Sequence, residues 1–252
     1  MRDDDGDTQT LDADQSRRGP VRRLLPLGVL LCGLVAFFAF DLDRFVSFQS
    51  LSENRDLLQG WVAEHPVATR LAYALAYAVS IAFSLPVGLV LTVTGGLLFG
   101  LLEGTAITVV AATIGALAVF LAARTAIGDS LRAKAGPFVA RLEEGFRENA
   151  LSYLLVLRLV PLFPFWLVNI VPALLGVSTR VFLIGTLFGI IPGTFVFVSV
   201  GNGLDTVLAR GEVPGVGIFL EPGVLIPIAG LALLSLIPVI YKRFRRGTPS
   251  SA

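Results

Sequence analysis

Charged side chains are absent from long stretches of this chain. Residues 71–102 carry none, and after Glu103 another uncharged run reaches Arg124. Residues 150–204 are broken only by Arg158 and Arg180, and 24–40 and 222–241 are uncharged throughout. A helix needs roughly 20 apolar residues to cross a ~30 Å hydrocarbon core. These runs therefore predict membrane helices.

The run 71–102 is too long for one crossing, and it contains a break. Ser84, Leu85, Pro86, Val87 and Gly88 are followed by Gly95, Gly96 and Gly100. Proline removes a helix hydrogen bond, and the residue before it avoids the α region. Residues 67–101 therefore read as a helical hairpin. The pattern returns at Arg158, Pro161 and Pro164, which predicts a second hairpin over 150–177.

If each hairpin enters and leaves by one face, the charges sort themselves. Residues 24–40 go out and hairpin one opens outside. Residues 103–124 return, hairpin two opens inside, 180–200 go out and 222–241 come back. Fifteen Lys and Arg then face the cytoplasm, four face outside (Arg44, Arg55, Arg70, Arg210), and Arg158 stays within the membrane. That asymmetry obeys the positive-inside rule. The predicted fold is an all-α polytopic membrane protein, an inverted repeat of two re-entrant helical hairpins plus spanning helices. Both termini are expected in the cytoplasm, with the chain in the cell's inner (plasma) membrane.

The flanks complete this organisation. Residues 1–23 read as a disordered cytoplasmic tail and 24–40 as a transmembrane helix. Phe37–Phe40 offers no small-x-small cleavage site, so a retained anchor is expected rather than a cleaved signal. Residues 41–65 form an extracytoplasmic segment, and 66–203 the membrane domain. Within it, 125–149 reads as an amphipathic surface linker with Leu131, Phe138, Leu142 and Phe146 at helical spacing. Residues 222–241 form a C-terminal transmembrane helix and 242–252 a basic cytoplasmic tail.

Composition agrees. The chain is 54% hydrophobic and 15% charged, with mean hydropathy +0.78. Cys32 and His65 are the only residues of their kinds, so no disulfide framework, Cys-based zinc cluster or His pair is expected. Neither cofactor nor metal is expected. A net charge of +1 gives no basic field for nucleic acid. No P-loop, dinucleotide fingerprint or nucleophile–base–acid set occurs, so no enzyme is expected.

Candidate chemistry centres on Arg158, because an arginine in an apolar stretch costs at least about 2.5–3.5 kcal/mol at a helix centre. It either captures a phosphate-bearing headgroup through its planar fork or satisfies interface and carbonyls freed by Pro161 and Pro164. Glu103 either partners Arg158, takes up a proton, or sits at the outer rim. Asn169 either ties the second tip together or contacts ligand, with Thr92, Thr94, Thr186 and Asn202 as weaker versions. Pro86 shapes the first hairpin. Glycines spaced by four (Gly96, Gly100, Gly104; Gly185, Gly189, Gly193), with Gly95, Gly176 and Pro192, are expected to set hairpin geometry and helix packing.

These residues resemble a known family. Leu85, Pro86, Thr94, Gly95, Gly96, Phe99, Gly100, Gly104, Gly115 and Arg124 are similar to the first half of the VTT domain. Arg158, Leu159, Pro161, Pro164, Phe165, Asn169, Gly176, Val177, Phe182, Gly185, Thr186, Gly189, Pro192 and Gly201 are similar to its second half. The family is that of the SNARE-associated Golgi proteins in the DedA superfamily, here in its bacterial Tvp-type branch. The resemblance implies two re-entrant hairpins and the translocation or scrambling of lipids or lipid-linked phosphates such as undecaprenyl phosphate. Membrane lipids, with phosphate-bearing headgroups, are the implied partners, and a homo-oligomer is left open. One departure is plain: the DedA branch carries an acid before the first hairpin's prolines, whereas Ser80–Ser84 stand there here. The alternatives to lipid movement are a proton-coupled transporter of a small polar solute or ion using Glu103, and a non-transporting scaffold for membrane homeostasis.

Overall fold

Proline, glycine and one strained serine decide where the helices of this chain stop. The computed structural model describes residues 20–42, 47–134, 149–159, 163–209, 222 and 224–230. Among them no strand occurs. The helices are α1 (Pro20–Ala39), α2 (Phe48–Glu53), α3 (Arg55–Glu64), α4 (Pro66–Ala82) and α5 (Gly88–Lys134). They continue with α6 (Asn149–Leu159), α7 (Phe165–Leu174), α8 (Thr179–Gly189) and α9 (Ile191–Ala209). Residues 224–230 are helical too. The apolar stretches Gly88–Ala126 and Thr179–Asp205 are long enough to cross a membrane.

α4 starts on Pro66, whose missing N–H costs nothing in a first turn. It ends in a Schellman motif: Leu85 N–H donates to Ser80 O and Ser84 N–H to Ile81 O, both at 2.9 Å. Ser84 occupies the left-handed position with φ 56°, where glycine is usual. Pro86 follows and prevents the helix from resuming. α5 then returns and breaks at Gly100, where φ 73° and ψ −175° reverse the chain. Its two arms are 88–99 and 101–134. One side chain ties all three legs: the Tyr73 hydroxyl donates to Leu91 O at 2.9 Å and lies 2.7 Å from Thr108 Oγ1.

The second hairpin uses similar local devices at different places. Pro164, extended at φ −55° and ψ 139°, caps α7. α7 ends in another Schellman motif, Val177 N–H to Pro172 O at 3.0 Å, with Gly176 at φ 74°. Ser178 caps α8 by accepting from Val181 N–H. α8 and α9 then run on through Ile190, which keeps helical dihedrals. Pro192 falls in the first turn of α9, where its missing N–H is harmless.

The two halves pack through small residues and aromatics. Phe120 and Phe182 stack at 4.2 Å, fully buried, where α5 meets α8. Arg124 Nη1 donates to Thr179 Oγ1 at 3.2 Å at that same end. Higher up, α9 lies against the first arm of α5 so closely that a β-carbon on Gly96 would strike Val198 O, and one on Gly201 would strike Val93 O.

The hairpin tips lie part-way along their neighbours. Gly115, in the second arm of α5, abuts Ala78 and Ile81 at the end of α4. That level is about 22 Å past Gly100 and about 17 Å short of Ala126 at 1.5 Å per residue. In the other half Gly189 abuts Arg158 and Leu155 near the end of α6. This level lies about 15 Å from Thr179 and about 24 Å from Asp205.

Two sequence expectations gain detail. The second arm of α5 continues without a break to Lys134, so the predicted amphipathic linker begins as a helical extension of that arm. The predicted extracytoplasmic segment 41–65 contains α2 and α3. The tails 1–19 and 231–252, and 135–148, lie outside the described residues.

Gly96→Val is expected to lower stability by about 2 kcal/mol or more, because overpacking here meets rigid backbone. Gly193→Ala has open space within 4 Å and should leave the midpoint unchanged. Thermal unfolding of the purified protein in detergent checks both.

Candidate functional site

The two tips meet across one cavity of about 710 Å³. Ser84, Leu85 and Pro86 come from the first tip; Phe163, Pro164, Phe165 and Trp166 come from the second. Leu34 and Phe38 of α1 and Gly193, Thr194 and Phe197 of α9 complete the wall. Gly33 seats α1 against the Phe83 ring, beside the first tip. The surface is mostly apolar, and Phe38, Leu89, Phe163, Trp166 and Phe197 on its rim are all more than two-fifths exposed. Tyr77 closes one side, its hydroxyl 2.9 Å from Thr92 Oγ1, which in turn donates to Gly88 O at 2.7 Å.

Arg158 is the one charged residue on this wall among those described. α6 carries it, and the closeness of Gly189 lets its stem lie against α8. The guanidinium lies over Phe165, with Cζ 4.5 Å from the ring centroid, and 5.6 Å from that of Phe182. Aromatic faces of this kind attract a desolvated cation by up to ~2 kcal/mol. Nη2 donates to Asn169 Oδ1 at 2.6 Å and to Thr186 Oγ1 at 3.0 Å. Nε and Nη1 are sealed from solvent and have no hydrogen-bond partner among the described residues; nor does Asn169 Nδ2. Native proteins rarely leave such donors unpaired, and each one calls for an explanation. No carboxylate pairs with Arg158 among the described residues. The chemistry left over is that of an unneutralised guanidinium in apolar surroundings, which an anion would match.

The sequence-predicted residues divide on this geometry. Arg158, Asn169, Thr186, Pro164 and Pro86 come together at the cavity or just behind it. Glu103 does not. It forms a bidentate pair with Arg70, through Nε to Oε1 and through Nη2 to Oε2 at 3.1 Å. Arg70 also donates to Pro66 O at 2.7 Å, so the pair closes the open end of the first hairpin. Of the three roles open to Glu103, the geometry matches the rim carboxylate. Pro161 lies outside the described residues. Gly95 packs under the Tyr73 hydroxyl and Gly185 under Leu154. Gly193 has nothing near it but borders the cavity, so its spacing by four does not reflect helix contact.

Sequence reasoning missed two groups. Tyr73 and Tyr77 were invisible as polar members because each reads as an apolar residue in an apolar run. The other is an ion cluster at the far end of the bundle. Asp205 Oδ1 accepts from Arg55 Nη2 at 2.6 Å, Gln59 Nε2 at 2.7 Å and Arg55 Nε at 3.0 Å. These bonds raise the Arg55 pKa above its ordinary value. They fasten α3 to α9 beside a second, smaller cavity of about 300 Å³. No short-range pattern joins residues 150 positions apart.

Residues 85–203 match the family profile of the VTT domain. The chain is 31% identical over 157 residues to the Transmembrane protein 41 homolog of Dictyostelium discoideum, covering 61% of this chain and 45% of that protein. It is 31% identical over 125 residues to Transmembrane protein 41B of Homo sapiens and of Mus musculus, covering 49% of this chain and 40% of each relative. The chain thus spans less than half the length of these relatives. No solved structure matches it.

Thr186→Val keeps the shape of the side chain and removes one acceptor from a buried cation. It should destabilise the protein by about 1–3 kcal/mol, read as a lowered unfolding midpoint in detergent.

Proposed function

We propose, from the match of residues 85–203 to the VTT domain and from the relatives above, that this chain is a membrane protein of the VTT/DedA family and that it carries lipids bearing a phosphate headgroup from one leaflet to the other. The observation that carries this reading is the guanidinium of Arg158, with unpaired Nε and Nη1, on the wall of an apolar cavity between two hairpin tips. Phosphate oxygens are the matched partner for a planar guanidinium. The apolar, part-exposed rim suits acyl chains that stay in the bilayer while the headgroup passes. No covalent step is involved, and no cofactor is needed.

In this reading the hairpins are re-entrant and form an inverted repeat. Support comes from the levels at which the tips end, near the middle of α5 on one side and of α8–α9 on the other. Broken backbone survives at membrane depth only when it is buried in protein or borders a wet cavity. The Schellman motif at Ser84, Pro164 at the start of α7 and the shared cavity are consistent with that requirement. The charge pattern argues for both termini in the cytoplasm, in the plasma membrane of a bacterium. The proton-coupled alternative loses its main residue, because Glu103 is engaged by Arg70.

Two experiments test the proposal. With Cys32 replaced by alanine, Ser84→Cys and Phe163→Cys are expected to resist a membrane-impermeant maleimide added to either side, while Glu103→Cys reacts from outside. Ready labelling of both tips from opposite sides would place them in bulk water and remove the cradle. In proteoliposomes, Arg158→Ala and Arg158→Lys should each slow leaflet exchange of a fluorescent anionic phospholipid by about tenfold or more, the lysine keeping charge but losing the fork. Normal exchange at normal protein level would reject the role of Arg158.

A further inference from the structure

Resting on that reading of the cavity, we propose that Asn169 determines its charge selectivity, by holding Arg158 without neutralising it. The argument starts with the five N–H groups of a guanidinium. Both hydrogens of Nη2 are spent inside the protein, on Asn169 Oδ1 and Thr186 Oγ1. The hydrogens of Nε and Nη1 have no partner among the described residues. Both acceptors are neutral, so the side chain is fixed while its full positive charge stays uncompensated.

Asn169 is fully buried, at 0% exposure. An amide there has two different ends. Oδ1 anchors the cation at 2.6 Å. Nδ2, one amide width away, is a second sealed donor without a partner among the described residues. Asn169 stands behind the cavity wall, so an arriving anion would meet the uncancelled positive charge of Arg158. A carboxylate of the same shape would reverse this. It would pair with Arg158 internally and cancel the local charge. The difference between Asn and Asp at this one position therefore separates an anion site from a closed internal ion pair.

The cavity also fixes the charge that fits. Arg158 is the one cation on its wall among the described residues. One net negative charge is neutralised there, as on a phosphodiester lipid with an uncharged headgroup. A zwitterionic headgroup brings its own ammonium, for which the described wall offers no carboxylate. Buried charge is tolerated only when it is matched, so the singly anionic lipid is preferred.

Trp166 lines the cavity, and Trp61 is the only other tryptophan. With Trp61→Phe, Trp166 fluorescence reports which lipid occupies the cavity. Two vesicle sets are compared, one with brominated phosphatidylglycerol and one with brominated phosphatidylcholine. The expected result is several-fold stronger quenching by the anionic lipid. Asn169→Asp should abolish that preference and slow exchange of the anionic lipid by about tenfold. Its unfolding midpoint should stay the same or rise, because an ion pair replaces an unmatched charge. A preference that persists in Asn169→Asp, while Arg158→Lys loses it, would overturn the selectivity role alone. Equal quenching by both lipids in the parent protein would remove the anion site and this inference with it. If Asn169→Asp were to misfold, Asn169→Ser supplies the second variant. It keeps a neutral group and should retain the preference; loss of it there would overturn the proposal.

Discussion

A helix that stops inside an apolar layer leaves backbone N–H and C=O groups that nothing outside the protein can satisfy, and this constraint shapes the whole molecule. At Ser84 the chain answers it with a Schellman closure that returns the last carbonyls to the chain's own N–H groups. At Pro86 and Pro164 it answers by having no N–H to satisfy. The ends so sealed still need protein around them. The tips therefore face each other, and the cavity is the space left between them. The charge on Arg158 follows from the same enclosure, since it is tolerable only among partners that hold it.

Close packing makes that enclosure tight. Gly96 and Gly201 let α9 and the first arm of α5 touch backbone to backbone. The stacked pair Phe120 and Phe182 fastens the opposite end, and the Arg55–Asp205 cluster ties α3 across the bundle. These contacts join the halves on both sides of the cavity and leave the cavity itself loosely filled. Its rim, formed by Phe38, Leu89, Phe163, Trp166 and Phe197, stays part-exposed. Rigidity thus surrounds an apolar region with one cation on its wall among the described residues.

Arg158 illustrates how function and stability pull apart. Neutral acceptors and aromatic faces position its guanidinium but do not discharge it. A protein selected only for stability would put a carboxylate beside it, or a methionine in its place. Unpaired donors at Nε, Nη1 and Asn169 Nδ2 are the kind of local inconsistency expected where a sequence serves binding rather than folding. Glu103 is the contrast: its bidentate pairing with Arg70 is complete, and it closes a hairpin without facing the cavity.

The sequence alone determined the helices and their breaks, because burial in an apolar layer demands uncharged runs and because proline and glycine act on their own backbone. Pro86, Gly100, Pro164 and Gly176 mark turns from local chemistry, and Arg158 stands out by its cost. Tertiary structure decided everything that depends on which face of a helix meets which neighbour. It assigned Glu103 to Arg70, put Thr186 and Asn169 on the same nitrogen of Arg158, made Tyr73 the tie between three legs and left Gly193 open beside the cavity. In an almost uniformly apolar sequence, periodicity carries little information about facing. The few polar contacts that orient the helices join residues far apart in the chain, and only the packed bundle brings them within reach.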